Sequence, residues 1–292
     1  MLYDITLRIS YDYASPAVGG RHLVRLLPLD IAGQQRLVAG HLEITPRPSE
    51  RFEQTDFFGN RVTEFSHRAP HESIVLKMQA RIDRLPGPAP LAATPLAALA
   101  GELALCRDMG PDAPLHFLAG SPRAPLDGAM TAYARAAVHP GMTTAEAVAA
   151  VAAALYRDIR FDAKATTVDT PAAEAFAKRR GVCQDYSHIM IACLRGIGIP
   201  AAYVSGFLRT IPPPGKPRLE GADAMHAWVR AWCGAQAGWV EVDPTNNCTA
   251  GADHVVVAYG RDYSDVAPVK GMLRVSGNRK SAQAVDVIPL PG

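Results

Sequence analysis

The spacing of the apolar residues changes once along the chain, and this change restricts the possible folds more than any other feature. Within residues 1–85 the apolar residues recur at a period close to two, and turn signals such as Phe58-Gly59-Asn60 separate the short runs. This pattern is typical of half-buried antiparallel strands. It predicts a small β-sandwich-like N-terminal domain with strands at Leu2–Tyr11, Arg21–Leu29, Gln35–Ile44, Arg61–Ser66 and Ser73–Ile82.

The composition changes at residue 86. The tract Leu85-Pro86-Gly87-Pro88-Ala89-Pro90 lacks a regular series of backbone donors, because proline has no N–H group. Residues 86–127 are therefore predicted to form a Pro/Ala-rich linker that includes a short helix over Leu96–Cys106.

Residues 128–292 are predicted to form an α+β domain in which the helices come first and an antiparallel sheet follows. Thr143-Thr144-Ala145-Glu146 resembles a capping box that opens a helix ending near Ile159. A second helix begins near Cys183 and stops before Gly198. The expected strands of the sheet are Ala201–Arg209, Met225–Cys233 and Trp239–Asp243.

Composition and charge exclude several classes of function. The 30 basic and 28 acidic residues leave a net charge of +2, which gives no electrostatic reason to expect nucleic-acid or membrane-surface binding. No apolar stretch reaches the roughly 18 residues of a membrane span, and the alternating N-terminus does not resemble a signal peptide. The 5 cysteines are odd in number and contain no C-x-x-C spacing. We therefore expect a cytoplasmic protein without disulfides, metal or cofactor.

One cysteine lies where a nucleophile would be favoured. Cys183 follows Gly181 and Val182 and comes at the predicted start of a helix. A helix N-terminus carries partial positive charge and unpaired N–H groups, which favour both a thiolate and an oxyanion beside it. A small buried residue that happens to begin a helix would look the same. From this placement alone both interpretations remain open.

The strands that follow bring a histidine and an aspartate together. If Trp232 faces Trp239 in the hairpin, the numbers of opposed residues sum to 471, and Asp243 lies diagonally from His226 on the same face. Such a diagonal pair is within reach of an imidazole and a carboxylate. A shift of one residue would put the two side chains on opposite faces. The register therefore predicts a His226–Asp243 pair that coordinates can check.

Three sequence blocks resemble the bacterial transglutaminase-like superfamily. They are Gly181-Val182-Cys183-Gln184-Asp185, then Met225-His226-Ala227-Trp228, then Gly238-Trp239-Val240-Glu241-Val242-Asp243-Pro244-Thr245-Asn246. Tyr11–Pro28 and Asp56–Asn60 are similar to the β-rich N-terminal region of that superfamily, and Gly260–Pro268 to the segment that closes its core. The resemblance implies a papain-like α+β core with Cys183 as nucleophile, His226 as base and Asp243 as its orienting partner.

The resemblance also implies acyl transfer through a thioester, with a peptide, protein or small amide as substrate. Water as the acceptor would make the protein a cysteine peptidase or amidase, and an amine would make it a transglutaminase-type transferase. Hydrolysis is favoured because water is abundant and no second pocket for an amine can be read from the sequence. A binding or scaffold module that has kept the fold and lost turnover is the alternative from another class.

In one respect the sequence departs from the family. Animal transglutaminases place a tryptophan upstream of the cysteine to stabilise the oxyanion, whereas Trp228, Trp232 and Trp239 all lie downstream of Cys183. No counterpart of the animal calcium sites is recognisable. The backbone N–H of Cys183 is therefore the expected oxyanion donor.

Other polar residues near the three blocks receive structural interpretations. Asp185 and His188 are expected on a polar helix face, and Gln184 in packing or backbone hydrogen bonding as readily as in catalysis. His254 is interpreted as structural. The loop Arg209–Pro217 would either line the substrate cleft or only connect two strands.

Overall fold

The computed structural model describes residues 1–85, 91–210, 221, 223–274 and 279–290. Its first five strands confirm the predicted β-rich N-terminal part, although β1 is one strand of 23 residues where two were expected. The strands are β1 (Leu2–Val24), β2 (Gln35–Thr45), β3 (Glu50–Thr55), β4 (Arg61–His67) and β5 (His71–Arg84).

Strand β1 runs through both halves of one antiparallel sheet. Its first half pairs with β5, and its second half pairs with β4. The register shifts between Asp12 and Ala17, where the strand passes from one half to the other. Such an irregularity bends a strand and interrupts its pairing. This is why the alternation of the sequence breaks there and predicts two strands.

The last two strands return to β1 at the other end of the chain. Strand β13 (Val269–Arg274) pairs with the second half of β1, and β14 (Arg279–Pro289) pairs with its first half. Without β14 the edge of β1 over Tyr3–Tyr13 would keep unpaired N–H and C=O groups. The domain boundaries after residues 85 and 127 stay a prediction.

The predicted linker lies partly outside the described residues, since 86–90 are not among them. From residue 91 onward the segment packs on the rest of the protein, with the fully buried Phe117 as its main anchor. The Thr94 N–H donates to the Cys233 carbonyl, and the Thr94 carbonyl accepts from Thr144. The expected short helix is present as a 3₁₀ turn (Leu96–Ala98) followed by α1 (Leu99–Leu105), and a second 3₁₀ turn covers Pro114–Phe117.

Three helices pack around a central buried helix, α5, on one side of the core. The helices after residue 127 are α2 (Gly128–Ala137), α3 (Thr144–Asp158), α4 (Ala172–Lys178), α5 (Cys183–Gly196) and the short α6 (Tyr263–Val266). Helix α5 packs against α2, α3 and α4 as well as against the sheet. The capping box of Thr143 and Glu146 is present at the start of α3, as predicted. Gly198 takes a φ of +86° just after α5, as expected of a helix stop.

A five-stranded antiparallel sheet forms the other side, in the order β11-β10-β9-β8-β12. The three predicted strands are present as β8, β9 and β10, and β12 was not expected. The strands are β8 (Ala201–Leu208), β9 (Ala224–Trp232), β10 (Trp239–Asp243), β11 (Cys248–Thr249) and β12 (His254–Gly260), and a separate parallel pair joins β6 (Arg160–Phe161) to β7 (Arg180–Gly181). The loop over residues 211–217 lies outside the described residues.

Two buried amides of the N-terminal part hold the edge strand β12. The register of β12 shifts between Val256 and Ala258, which leaves backbone groups without a strand partner. Gln35 accepts from the Val256 N–H and donates to its carbonyl, at 2.9 and 2.8 Å. Asn60 forms the same pair of bonds with the Tyr259 backbone, at 2.8 and 2.7 Å. The N-terminal part therefore replaces the missing neighbour of β12.

Within the residues that the structure describes, no helix combines the length and the apolar character needed to span a membrane.

Candidate active site

Cys183 is the first residue of α5, and its position is fixed by the residues around it. The Asp185 carboxylate accepts from the Val182 N–H at 2.8 Å and from the Thr166 hydroxyl at 2.6 Å. A Cβ at Gly181 would come within 2.5 Å of the same carboxylate, so only glycine fits there. The Asp185 carboxylate thus satisfies the Val182 N–H and fixes the backbone directly before Cys183.

Partial exposure distinguishes Cys183 from the two cysteines of the core. The Cys183 side chain is half-buried, while Cys193 and Cys233 have no exposed surface. Burial raises the pKa of both core thiols to about 12. These two cysteines are therefore inert at neutral pH. All five cysteines of the chain are free thiols.

The hairpin of β9 and β10 has the predicted register. Trp239 pairs with Trp232 and Val242 with Val229, so opposed residues sum to 471 as expected. His226 and Asp243 consequently lie on one face, with 2.7 Å between Nε2 of the imidazole and Oδ2 of the carboxylate. The histidine–aspartate pair that the register predicts is present.

His226 connects the aspartate to the cysteine. Its ring is largely buried, which by itself would lower its pKa, but hydrogen bonds to Asp243 and to the Cys183 side chain outweigh burial and raise the pKa to about 9. Because Asp243 occupies Nε2, Nδ1 is the ring nitrogen left for the Cys183 sulfur. The structure thus brings together the three side chains that the resemblance singles out.

Asp243 is a fully buried carboxylate with donors on both oxygens. Oδ1 accepts from the N–H groups of Thr245 at 2.9 Å and Asn246 at 3.2 Å. Oδ2 accepts from His226, from the Asn246 amide at 2.7 Å and from His254 Nε2 at 3.2 Å. Burial opposes ionisation, but these bonds, that of His226 first, hold the pKa of Asp243 well below its usual range. The carboxylate is therefore an ionised acceptor.

A tryptophan fills the space behind the two histidines. Trp228 is fully buried, and its ring lies 6.1 Å from the His226 ring at an angle of 28° and 5.1 Å from the His254 ring at 76°. Its indole N–H donates to Glu241 at 2.7 Å, and the other Glu241 oxygen accepts from the Tyr259 hydroxyl at 2.9 Å. Trp228 therefore limits the movement of both imidazoles from one side.

Sequence reasoning missed the contact between His254 and Asp243. The two residues are 11 positions apart, and their strands are not neighbours in the sheet. The contact arises where the chain returns from β11 to the start of β12. No local pattern signals it, because it depends on the long-range position of a strand that was not predicted.

Three polar residues follow Cys183 in the first turns of α5. Asp185 and His188 are buried, so the expected polar helix face is wrong for both. His188 accepts from the Tyr263 N–H, and burial lowers the pKa of its imidazole to about 4, which makes it a neutral structural acceptor. The Gln184 side chain donates to the Val168 carbonyl at 3.0 Å, in line with a role in backbone hydrogen bonding.

His226, Asp243 and His254 are also close enough to be considered as metal ligands, with ligand atoms within 4.8 Å of one another. The tautomer of His254 opposes this interpretation. The Gly251 N–H donates to Nδ1 of His254 at 3.2 Å, so the ring proton lies on Nε2, the atom that would have to bind the metal. The arrangement is explained more simply by two N–H donors on one carboxylate.

The architecture and the site define a transglutaminase-like α+β core with a β-rich N-terminal region. Two family models agree with this class. The bacterial transglutaminase-like N-terminal region matches residues 3–83, and the transglutaminase-like superfamily matches residues 131–244. The second match includes the Cys183, His226 and Asp243 positions.

Relatives match along nearly the whole chain. The uncharacterized protein Rv2569c of Mycobacterium tuberculosis is 33% identical over 294 residues, which cover 99% of this chain and 93% of the relative. The uncharacterized protein ML0607 of Mycobacterium leprae is 29% identical over 268 residues, covering 90% and 89%. The chain belongs to the transglutaminase-like superfamily.

A solved structure shares the complete fold. It is named a "Putative Cysteine Protease from Cytophaga hutchinsonii", has a TM-score of 0.77 and covers 100% of this chain and 91% of its own. The sequence identity is 22%, so the likeness shows the fold of the two regions and not the reaction.

Proposed function

We propose that the protein is a cysteine-dependent enzyme that hydrolyses a peptide or amide bond through a thioester intermediate. The observation that carries the proposal is the chain of contacts from a half-buried cysteine at a helix start, through His226, to the buried Asp243 carboxylate. Cysteine nucleophiles need an adjacent base and a third group that orients the base.

The first half of the reaction forms the thioester. The Cys183 thiol gives its proton to Nδ1 of His226, and the sulfur attacks the substrate carbonyl. The carbonyl oxygen becomes an oxyanion beside the Cys183 N–H at the start of α5. Nδ1 of His226 then gives its proton to the leaving nitrogen as the C–N bond breaks. Asp243 keeps the proton of Nε2 in place and stabilises the imidazolium.

The second half releases the acid. Nδ1 of His226 takes a proton from a water molecule, whose oxygen attacks the thioester carbonyl. The C–S bond breaks, the carboxylic acid leaves, and the cysteine and histidine return to their starting state. If an amine takes the place of water, the same steps give transglutaminase-type transfer. Hydrolysis is favoured because it requires no site for a second substrate.

A substrate screen with and without a primary amine tests the proposal. Peptide and small amide substrates are incubated with the wild type and with Cys183→Ala, and products are identified by mass spectrometry. The proposal expects acid products that form only with the wild type and persist when amine is present. Amine adducts as the main product would favour transferase activity. Equal turnover by both proteins would contradict the role of Cys183, and no turnover by either protein would favour the silent binding module.

The location that we propose is the cytoplasm. Five free thiols, two of them buried beside apolar side chains, fit a reducing compartment.

A further inference from the structure

His254 has a fixed tautomer and a fixed partner. Its Nδ1 accepts from the Gly251 N–H at 3.2 Å, which leaves the ring proton on Nε2. That N–H faces Oδ2 of the ionised Asp243 at 3.2 Å, and the residue is only 5% exposed. Because one nitrogen accepts and the other donates, rotation of the ring by 180° would break both bonds.

The N-terminal part of the chain holds the backbone of His254. Nε of the buried Arg84 donates to the His254 carbonyl at 2.9 Å. The Tyr3 hydroxyl donates to the neighbouring Asp253 carboxylate at 2.9 Å. Further along β12, Gln35 and Asn60 bind the backbone as described above. The position of His254 is therefore set by residues more than 150 positions earlier in the chain.

Asp243 needs a fixed plane to orient His226. A carboxylate on a single bond can rotate, and each rotation moves the oxygen that receives the imidazole N–H. The N–H groups of Thr245 and Asn246 donate to Oδ1, and the Asn246 amide and His254 both donate to Oδ2. Thr245 and Asn246 closely follow Asp243 in the chain, so His254 is the donor that fixes the carboxylate plane relative to a separate strand.

We propose that His254 is a positioning residue for the reaction, which fixes the Asp243 carboxylate plane by donating from Nε2 to Oδ2 and is itself held by the N-terminal β-region. The proposal rests on the proposed function of Cys183 and His226. His254 transfers no proton and does not touch the substrate. This proposal also gives the N-terminal region a role in the site. Arg84 binds the His254 carbonyl, and His254 in turn donates to Asp243.

Two amide substitutions, each of which places a nitrogen near one of the ring nitrogens of His254, separate this role from simple packing. The amide nitrogen of His254→Gln reaches the place of Nε2, whereas that of His254→Asn reaches only the place of Nδ1. The readout is the rate of Cys183 alkylation by iodoacetamide at pH 6, measured by peptide mass spectrometry, which requires no substrate. We expect His254→Gln to stay within about twofold of the wild type and His254→Asn to fall about tenfold, the effect of one lost charge-assisted hydrogen bond.

A double-mutant cycle tests whether the effect acts through Asp243. In an Asp243→Asn background, the Gln and Asn variants of His254 should have equal rates, since no carboxylate remains to be oriented. Equal rates of the two variants in the wild-type background, or a full tenfold difference without Asp243, would overturn the proposal. Circular dichroism of each variant is the control for folding.

One further comparison separates failure of this inference from failure of the proposed function. If His226→Ala leaves Cys183 alkylation unchanged, the proposed function fails. If His226→Ala slows alkylation and His254→Asn does not, only the inference about His254 fails. Should the variants not fold, nitrogen NMR of the wild type at neutral pH decides instead. A His254 ring protonated on Nε2 and bare on Nδ1 supports the proposal, and the opposite tautomer contradicts it.

Discussion

Nε2 of His226 lies 2.7 Å from Oδ2 of Asp243, and the carboxylate has no exposed surface. A buried carboxylate without donors would be strongly unfavourable, so the two residues depend on each other. Removing the histidine leaves a buried charge with fewer donors, and removing the aspartate leaves an imidazole free to turn. The consequences of the two changes should therefore differ in kind.

Asp243→Asn should lower the amide turnover rate strongly, yet less than His226→Ala. The asparagine amide can present an N–H toward Nε2 and favour the wrong tautomer, which in a related constellation costs about 10⁴-fold. His226→Ala removes the group that moves the proton. The turnover rates of both variants on one substrate check this order. Wild-type activity of Asp243→Asn would show that another residue orients His226.

Cys183→Ala should abolish turnover and leave the fold intact. The half-buried side chain lies at the N-terminal end of α5 and packs only against the edge of the core, so its loss creates no enclosed cavity. Cys248→Ala is the matched control, because Cys248 is an exposed thiol on the strand that pairs with the Asp243 strand. The control should keep its activity. Thermal melts distinguish loss of chemistry from loss of folding, and a folded Cys183→Ala with full activity would refute the nucleophile assignment.

The pKa of His226 predicts how stability changes with pH. The pKa of His226 is about 9 in the folded protein, whereas an ordinary histidine, as in the unfolded chain, has a pKa of 6.5. Between these two pH values the folded state therefore binds more protons than the unfolded state. The stabilisation is complete below pH 6.5 and is lost as the pH rises through 9. Urea unfolding from pH 6 to pH 9.5 should show the stability advantage of the wild type over His226→Gln shrinking with pH. A constant difference would mean that the pKa is not raised.

The sequence reveals the local parts of this site because they depend on short distances along the chain. The helix start at Cys183 is a local signal, and the His226–Asp243 pair follows from a hairpin whose register two tryptophans suggest. The strands Gln35–Thr45 and Trp239–Asp243 are also close to their predicted bounds. Each of these features is specified within about 20 residues, where periodicity and turn signals are informative.

The parts that could not be predicted depend on distant pairing. Strand β14 pairs with β1, which lies at the other end of the chain. His254 reaches Asp243 only because β12 lies at the sheet edge and is held there by Gln35 and Asn60. No periodicity of the sequence records which distant amide completes which strand, so both were missed.

The interface between the N-terminal part and β12 should contribute measurably to stability. Gln35→Ala removes the side-chain acceptor of the Val256 N–H, and a buried group left without a partner costs about 1–3 kcal/mol. The Val256 carbonyl keeps its bond from the Leu29 N–H. Gln54→Ala, on the exposed strand β3, is the control and should have almost no effect. Urea unfolding measures both. Equal stabilities of the two variants would show that the amide contacts are dispensable.

The alkylation rate of Cys183 as a function of pH tests the central claim most directly. An ordinary thiol has a pKa of about 8.5 and reacts slowly below pH 7. Cys248 is exposed to reagent, but partial burial of its thiol and the nearby Asp243 charge raise its pKa. Cys248 is therefore a slowly reacting reference within the same sample. The account predicts that Cys183 reacts well below pH 7 and faster than Cys248 in the wild type, and that His226→Ala moves the onset for Cys183 to higher pH. Identical Cys183 curves in the two proteins, both rising only near the ordinary thiol pKa, would contradict a coupled cysteine–histidine site.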